Sequence, residues 1–270
     1  MEQNNALNHR LPSDLKEILG DFKWDIITIG CSKTEVYKLL KDNKTLYLKI
    51  NRPLSEFTLE KEKKILEWLN DILPVPNMLY FGNFKHEEFL LLSEIKGKVS
   101  YETTSEDEKR THISILAEGL KTIHSIDFSN CPVDNTPDNL INIAKSRMDR
   151  GLIDSKNFDE RWTVNTPEEL FDKILENKPD RYDIVFCHGD YCLPNILIKD
   201  GKLSGFVDWS YGGLNDRYFD LVAVAWSIGY NFGQQWAKYF FEDYGLKDID
   251  WEKFKFFQML NAFFPLSYLD

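Results

Sequence analysis

The sequence has few basic side chains relative to its acidic ones. Its 270 residues include 33 lysines and arginines against 44 aspartates and glutamates, which gives a formal net charge of −11 at pH 7. A protein that binds a nucleic-acid backbone needs a basic face, so this balance argues against nucleic acid as a partner. An acidic surface raises the local concentration of cationic ligands, although it also serves solubility alone.

Long apolar runs and paired cysteine motifs are also missing. The longest apolar stretch, Leu221 to Trp226, is far shorter than the roughly 20 residues that cross a bilayer. The N-terminus has no basic start followed by an apolar core. The four cysteines form no CxxC motif and have no histidine at zinc spacing. We therefore expect a soluble, cytoplasmic protein with no membrane partner and with reduced thiols, most of which pack in the interior.

The composition and the order of patterns predict a two-lobed α+β protein. Apolar residues make up 43% and aromatic residues 14% of the chain, which is typical of a folded protein. At roughly 150 residues per domain, the length predicts about two units. The first third consists of short β-type runs and one helix, whereas the pattern from Ser105 onward is mainly helical. We place the boundary near residues 95–100, which gives lobes of residues 1–97 and 98–270.

One predicted strand carries an aromatic ring and an ammonium group on the same face. Side chains alternate along residues 45–50, so that Tyr47 and Lys49 point one way and the leucines and isoleucine point the other. On this pattern alone, a tyrosine and a lysine that face solvent are the favoured interpretation. A charged helix is predicted next, over residues 56–69, and two prolines at positions 74 and 76 follow it.

Four polar residues within one strand, loop and hairpin unit predict phosphoryl transfer. They are His188, Asp190, Asn195 and Asp208, and the Asp-Gly pair at 200–201 predicts the hairpin that returns the last of them to the loop. Kinase catalytic loops have an aspartate that accepts the substrate proton, an asparagine five residues later that binds magnesium, and a second magnesium-binding aspartate. Hard oxygen ligands suit Mg²⁺, and a separate carboxylate can deprotonate the nucleophile. With all of these elements present, a purely structural turn is disfavoured.

At these residues the sequence resembles a known family. The segments HGDYCLPN at 188–195 and GFVD at 205–208 resemble the signature of the aminoglycoside phosphotransferases, most of all the kanamycin 3′-phosphotransferases. Further similar segments, such as VYKL at 36–39, LYLK at 46–49 and HSID at 124–127, follow the family's order along essentially the whole chain. The resemblance implies a bilobal protein-kinase-like fold, with a small β-rich N-terminal lobe and a larger, mainly helical C-terminal lobe. It also implies ATP-dependent phosphorylation of an aminoglycoside at its 3′-hydroxyl, and hence antibiotic resistance.

The resemblance further implies roles for residues on the nucleotide side. Lys49 is expected to pair with the α and β phosphates and Tyr47 to stack on adenine, with ATP, or alternatively GTP, as the nucleotide. Glu60 is expected to fix the lysine, with Glu62 as the alternative. Ser32 is expected to cover the β-phosphate, although its turn is not a full GxGxxG motif. The backbone of a hinge segment is expected to bind the adenine edge, and this segment consists of Ser93, Glu94 and Ile95.

For the reaction itself, the resemblance makes Asp190 the catalytic base and Asn195 and Asp208 the magnesium ligands. Asp216 and Asp220 are expected to brace the catalytic loop or to cap a helix rather than to touch substrate. A monomer or a weak dimer is expected.

Acceptor recognition is expected to involve Asp159 and Glu160, two carboxylates of a helical insert in the second lobe. Elsewhere the chain departs from the family: an acidic pair near the C-terminus is replaced by Asn261 and Ala262, and the Gly-Arg after the metal-binding aspartate is replaced by Ser-Tyr at 210–211. An alternative acceptor, such as choline, homoserine, a macrolide or a sugar, therefore stays open. A nucleotide-binding pseudokinase is a third interpretation, disfavoured because every residue needed for catalysis has a candidate.

Overall fold

The computed structural model describes residues 9–28, 34–52 and 58–264. In this part of the chain the helices are α1 (Ser13–Leu19), α2 (Leu59–Leu69), α3 (Glu106–His124), α4 (Pro137–Asp149), α5 (Pro167–Glu176), α6 (Tyr218–Phe232), α7 (Ala237–Tyr244) and α8 (Trp251–Asn261). The strands are β1 (Lys23–Ile27), β2 (Glu35–Lys41), β3 (Lys44–Asn51), β4 (Met78–Phe84), β5 (Glu87–Ser93), β6 (Lys98–Val99), β7 (Ile184–Cys187), β8 (Ile196–Lys199), β9 (Lys202–Phe206) and β10 (Gly213–Asp216).

The N-terminal part is built on one antiparallel sheet with the order β1-β2-β3-β5-β4. Leu46 and Leu48 of β3 belong to a small core that also contains Leu15 of α1, whereas Tyr47 packs against the main core of the protein. The alternation predicted for this strand is therefore confirmed. It directs Tyr47 and Lys49 away from the small core and toward the rest of the molecule.

Helix α2 begins later than predicted. The expected start at residue 56 lies outside the described residues, and Thr58 is extended and accepts a hydrogen bond from the backbone N–H of Lys61. A threonine in this position is an N-cap, which satisfies a donor that the first turn of the helix leaves unpaired. The first helical residue is therefore Leu59.

The predicted hairpin in the second lobe is confirmed, and it packs against the loop between α2 and β4 of the first lobe. Asp200 and Gly201 have φ values of 51° and 71° between β8 and β9, as a tight two-residue hairpin turn requires. The N–H of Phe206 donates to the carbonyl of Pro74 at 3.0 Å. A Cβ atom on Gly205 would lie 2.5 Å from that carbonyl oxygen, so this close contact requires a glycine.

One element of the second lobe was not expected. The sequence pattern predicts a return to helix at about Asp216, but Gly213–Asp216 forms β10 and pairs with β7, and α6 starts only at Tyr218. Helix α6 is almost entirely buried and packs against α7 and α8. The α+β prediction, with a β-rich first lobe and a mainly helical second lobe, is confirmed. Among the described residues, no helix is long and apolar enough to cross a membrane.

Candidate active site

A buried ion-pair network joins the two lobes at Lys49. Its ammonium group donates to both carboxylate oxygens of Glu62, at 2.7 and 2.9 Å, and to Oδ1 of Asp208 at 2.9 Å. The Lys49 side chain is 8% exposed and that of Glu62 is fully buried, whereas that of Asp208 is 40% exposed. Residues 159 positions apart in the chain therefore meet in one cleft, and the aspartate faces the solvent side of that cleft.

The prediction that Glu60 is the partner of Lys49 is wrong, and its alternative, Glu62, makes the contact. Glu60 lies on the exposed face of α2 and pairs with Lys64 at 3.1 Å. Residues two apart on a helix point in directions about 200° apart, so only one of the two glutamates can face the sheet. Glu62 shares the buried stripe of Leu59, Leu66 and Leu69, at the i, i+3, i+7 and i+10 spacing of one helix face. That stripe was a readable signal for the right residue.

The network keeps Lys49 and Asp208 charged at neutral pH. Burial alone would lower the pKa of Lys49, but the carboxylates of Asp208 and Glu62 outweigh it and raise that pKa. Burial alone would raise the pKa of Asp208, but Lys49 and the Ser210 hydroxyl lower it to about 2. Ser210 lies 2.6 Å from Oδ1 of Asp208 and 3.2 Å from Oε2 of Glu62, so it bridges the same two carboxylates as the lysine. Sequence reasoning noted this serine only as a departure from the family.

The catalytic-loop residues predicted from spacing come together. The side-chain amide of Asn195 donates to Oδ2 of Asp190 at 2.9 Å and to its carbonyl at 3.0 Å. The carbonyl of Asn195 accepts from the N–H of Val207 at 2.9 Å, which ties the loop to the segment that carries Asp208. Asp208 itself has a φ of 62°, a left-handed backbone conformation that is uncommon for residues other than glycine.

Asp220 braces the start of this loop. Its carboxylate accepts the backbone N–H groups of His188 and Gly189 at 2.8 and 2.7 Å, as expected for a bracing residue. His188 donates from Nε2 to the carbonyl of Val207 at 3.1 Å and accepts at Nδ1 from the N–H of Asp190 at 3.3 Å. This pattern requires a neutral ring, and burial lowers the pKa of His188. Gly189 has a φ of 86°, and a Cβ there would clash with the carbonyl oxygen of Tyr211 at 2.1 Å.

A chain of side chains behind Asp220 was not predicted. Arg217 donates to the Tyr244 hydroxyl at 2.9 Å, that hydroxyl lies 2.7 Å from Nδ1 of His124, and Nε2 of His124 lies 3.1 Å from Asp220. Because the tyrosine oxygen accepts from the arginine, its proton is directed to Nδ1, and Nε2–H is left to donate to Asp220. Burial raises the pKa of Tyr244 to about 12, so it stays a donor.

His124 and Asp220 also lie near the buried Cys187, and these side chains come from three separate elements. Only the fold brings them together.

On the expected adenine side, Tyr47 lies beside the hinge segment. Burial raises the pKa of the Tyr47 hydroxyl, and the charge of Glu94 adds to the effect. The N–H and the hydroxyl of Ser93 already bond the backbone of Asn77, each at 2.9 Å. Both groups are therefore engaged with the residue before β4, and Glu94 and Ile95 are the half-buried residues that follow Ser93. Ser32 lies outside the described residues.

The two expected acceptor carboxylates lie in a loop between α4 and α5 that contains short helical turns. Asp159 caps one of these turns by accepting the N–H of Arg161, and it also forms an ion pair with the guanidinium of the same residue. The hydrogen bond from Arg161 lowers the pKa of Asp159, and the arginine charge neutralises it locally. Glu160 is exposed.

Comparison with known proteins identifies the family. A model described as "Phosphotransferase enzyme family" matches residues 25–257. The chain belongs to this family. Among its relatives, the aminoglycoside 3′-phosphotransferase of Niallia circulans is 34% identical over 262 residues, covering 96% of this chain and 100% of the relative. The aminoglycoside 3′-phosphotransferase of Enterococcus faecalis is also 34% identical, covering 94% of this chain and 98% of the relative.

Solved structures of the family agree on the fold. A type VIII aminoglycoside 3′-phosphotransferase superposes with a TM-score of 0.82 at 24% identity, covering 96% of this chain and 97% of the other. An aminoglycoside phosphotransferase from Streptomyces rimosus, solved with ADP and streptomycin, superposes with a TM-score of 0.78 at 22% identity, covering the same shares of both chains. The resemblance inferred from the sequence motifs is confirmed. This phosphotransferase has the kinase-like fold of its family.

Proposed function

We propose that this phosphotransferase transfers the γ-phosphate of ATP to the 3′-hydroxyl of an aminoglycoside, and so confers resistance to that drug. The observation that carries the proposal is the Lys49 network, which links both lobes and lies beside the tied pair of Asp190 and Asn195. Phosphoryl transfer depends mainly on positioning and on electrostatic stabilisation. A fixed ammonium, two carboxylates and an amide in one cleft suit both requirements. Near-complete coverage by relatives named aminoglycoside 3′-phosphotransferase supports the acceptor.

In this proposal Asp190 is the catalytic base. Its carboxylate accepts the proton of the acceptor hydroxyl while the hydroxyl oxygen forms a bond to the γ-phosphorus and the bond to the β,γ-bridging oxygen breaks, which releases ADP. The Asn195 amide and the Asp220 brace orient Asp190 through its side chain and the backbone of its loop. Lys49 would bind the nucleotide phosphates, Tyr47 would stack on adenine, and the hinge backbone around Glu94 would bind the adenine edge.

The donor set also fits a magnesium ion. Oδ1 of Asp208 carries Lys49 and Ser210, which leaves Oδ2 as its candidate ligand atom. The side-chain amide nitrogen of Asn195 donates to Asp190. The side-chain oxygen of Asn195 is therefore its candidate ligand atom for the ion. Carboxylate and amide oxygens are ligands that Mg²⁺ prefers. When bound, the ion would neutralise charge that develops on the transferred phosphate.

The test is ADP release by the purified full-length protein with MgATP and kanamycin. We expect turnover with kanamycin and neomycin, and NMR of the product should place the new phosphate at the 3′ position. Tobramycin lacks that hydroxyl and should inhibit without being consumed. Turnover of tobramycin would contradict the regiochemistry, and no turnover with any aminoglycoside would contradict the proposed acceptor.

A second acceptor class is favoured by a specific observation. The family resemblance implies acids at the positions of Asn261 and Ala262, and Asp159 is already paired with Arg161. Fewer available carboxylates weaken the binding of a polyamine, since each charged contact is worth about 1.5–3 kcal/mol. Choline, homoserine, a macrolide and a simple sugar in the same assay distinguish this alternative from the first. It keeps the catalytic residues and changes only the acceptor.

A further inference from the structure

The C-terminal end of α6 exposes a pair of stacked aromatic rings. Tyr230 is 75% exposed, more than any other large hydrophobic side chain in the described part of the chain. Its ring lies parallel to that of Trp226, with an interplanar angle of 11° and ring centroids 5.2 Å apart. Trp226 is half-buried against the main core. The tryptophan therefore supports one face of the tyrosine ring, and the ring projects into solvent from an otherwise buried helix.

The position of this pair along α6 relates it to the catalytic loop. Asp220 accepts the N–H groups of His188 and Gly189, the carbonyl of Ala223 accepts the thiol of Cys192, and the hydroxyl of Ser227 accepts the N–H of Leu193. The loop thus runs along α6 in the direction of the helix, and it contacts one residue in each turn.

Tyr230 continues the same helix face. Positions 220, 223, 227 and 230 follow the i, i+3, i+7, i+10 spacing that keeps side chains on one face. Tyr230 lies about 10 Å along the helix axis from Ala223, at 1.5 Å per residue. The exposed ring is therefore the next feature on this face beyond the loop that carries Asp190. A molecule of several rings, with one hydroxyl at Asp190, could reach it.

We propose that Tyr230, supported by Trp226, binds a ring of the acceptor and helps to determine acceptor specificity; this inference rests on the proposed function. The apolar face of a sugar or aminocyclitol ring suits a flat aromatic surface that stacking has already fixed. Protonated amines on that ring are attracted to the electron-rich face of tyrosine.

Three variants test the proposal with kanamycin as the probe. Tyr230→Ala should raise the KM for kanamycin about tenfold, because a cation–π and stacking contact of roughly 1–2 kcal/mol corresponds to about that factor. The KM for ATP should stay within about twofold of the wild-type value. Tyr230→Phe keeps the ring and should retain the wild-type KM for kanamycin. Trp251→Ala is the matched control, since Trp251 is a 63% exposed aromatic residue on α8 and should leave both constants unchanged.

Calorimetric titration of kanamycin into the ADP-loaded protein gives a readout besides turnover. Weaker kanamycin binding by Tyr230→Ala, with unchanged ADP binding, supports the proposed contact between Tyr230 and the acceptor ring. An unchanged kanamycin affinity in Tyr230→Ala, or an equal loss in Trp251→Ala, overturns it. Failure of the proposed function looks different: there the wild-type protein binds ADP but neither binds nor phosphorylates kanamycin.

Discussion

The two sides of the candidate cleft differ in how deeply their charged residues are buried and in how they are paired. On the proposed nucleotide side, Lys49 and Glu62 are buried and are joined to Asp208 from the other lobe. On the proposed acceptor side, Asp159 pairs with Arg161, two residues away, and Glu160 is exposed. A buried charge depends strongly on its partner, whereas an exposed pair contributes little. The nucleotide side should therefore tolerate almost no substitution, while the acceptor side can change its residues and its specificity.

The largest effect on activity is expected for Asp190, the proposed catalytic base. Asp190→Ala should lower kcat by about 10²–10⁴-fold, the usual contribution of a general base, and leave the fold intact. Rates of ADP release with kanamycin measure the loss. Asp172→Ala, a change at an exposed aspartate of α5, is the control and should behave as wild type. If Asp190→Ala keeps more than a tenth of the wild-type kcat, Asp190 is not the catalytic base.

The buried network can be broken by exchanging one glutamate at a time. Glu62→Ala should lower the free energy of unfolding by about 3 kcal/mol and raise the KM for ATP, because it leaves the buried Lys49 short of a partner. Glu60→Ala should change that free energy by no more than about 0.5 kcal/mol. Urea denaturation of both variants measures the difference. Equal effects would mean that burial does not distinguish the two residues.

The neutral ring of His188 makes a pH-dependent contribution to stability. Its pKa in the folded protein lies below the ordinary value of about 6.5. Between these two pKa values, the unfolded chain binds a proton at His188 that the folded chain does not bind. The free energy of unfolding should fall as the pH drops below about 6.5, with a slope of at most about 1.4 kcal/mol per pH unit from this residue. His188→Asn should be less stable at pH 8 and show a shallower slope between pH 7 and 5. An identical slope in both proteins would assign the titration to another group.

The smallest effect is expected for Arg161, whose substitution should change only the KM for the acceptor. Arg161→Ala releases the Asp159 carboxylate from its ion pair and should lower the KM for kanamycin by about twofold to threefold, in keeping with the modest energy of an exposed pair. The double variant with Asp159→Asn should lose this gain. A KM that rises in Arg161→Ala would show that the arginine, and not the aspartate, serves the acceptor. Raising the salt concentration should reduce the difference.

Sequence patterns located the elements whose contacts are local. Alternation along β3 placed Tyr47 and Lys49 on one face, the Asp-Gly turn located the β8–β9 hairpin, and the spacing of Asp190 and Asn195 predicted their proximity. Each of these inferences depends on strand or turn geometry over fewer than about ten residues. The start of α2 and the existence of β10 were missed, because a cap and a strand pairing decide them.

By itself, the sequence determined which residue types the cleft contains and which segments carry them, because helix and strand periods act locally. Only the tertiary structure decided that Asp208 of the other lobe joins Lys49 and Glu62, that Asp159 is already paired, and that Tyr230 extends the helix face beneath the catalytic loop. These outcomes depend on packing between segments that are distant in the chain. Burial there selects one partner among several with the same charge, since a charge without a partner is costly once water is excluded.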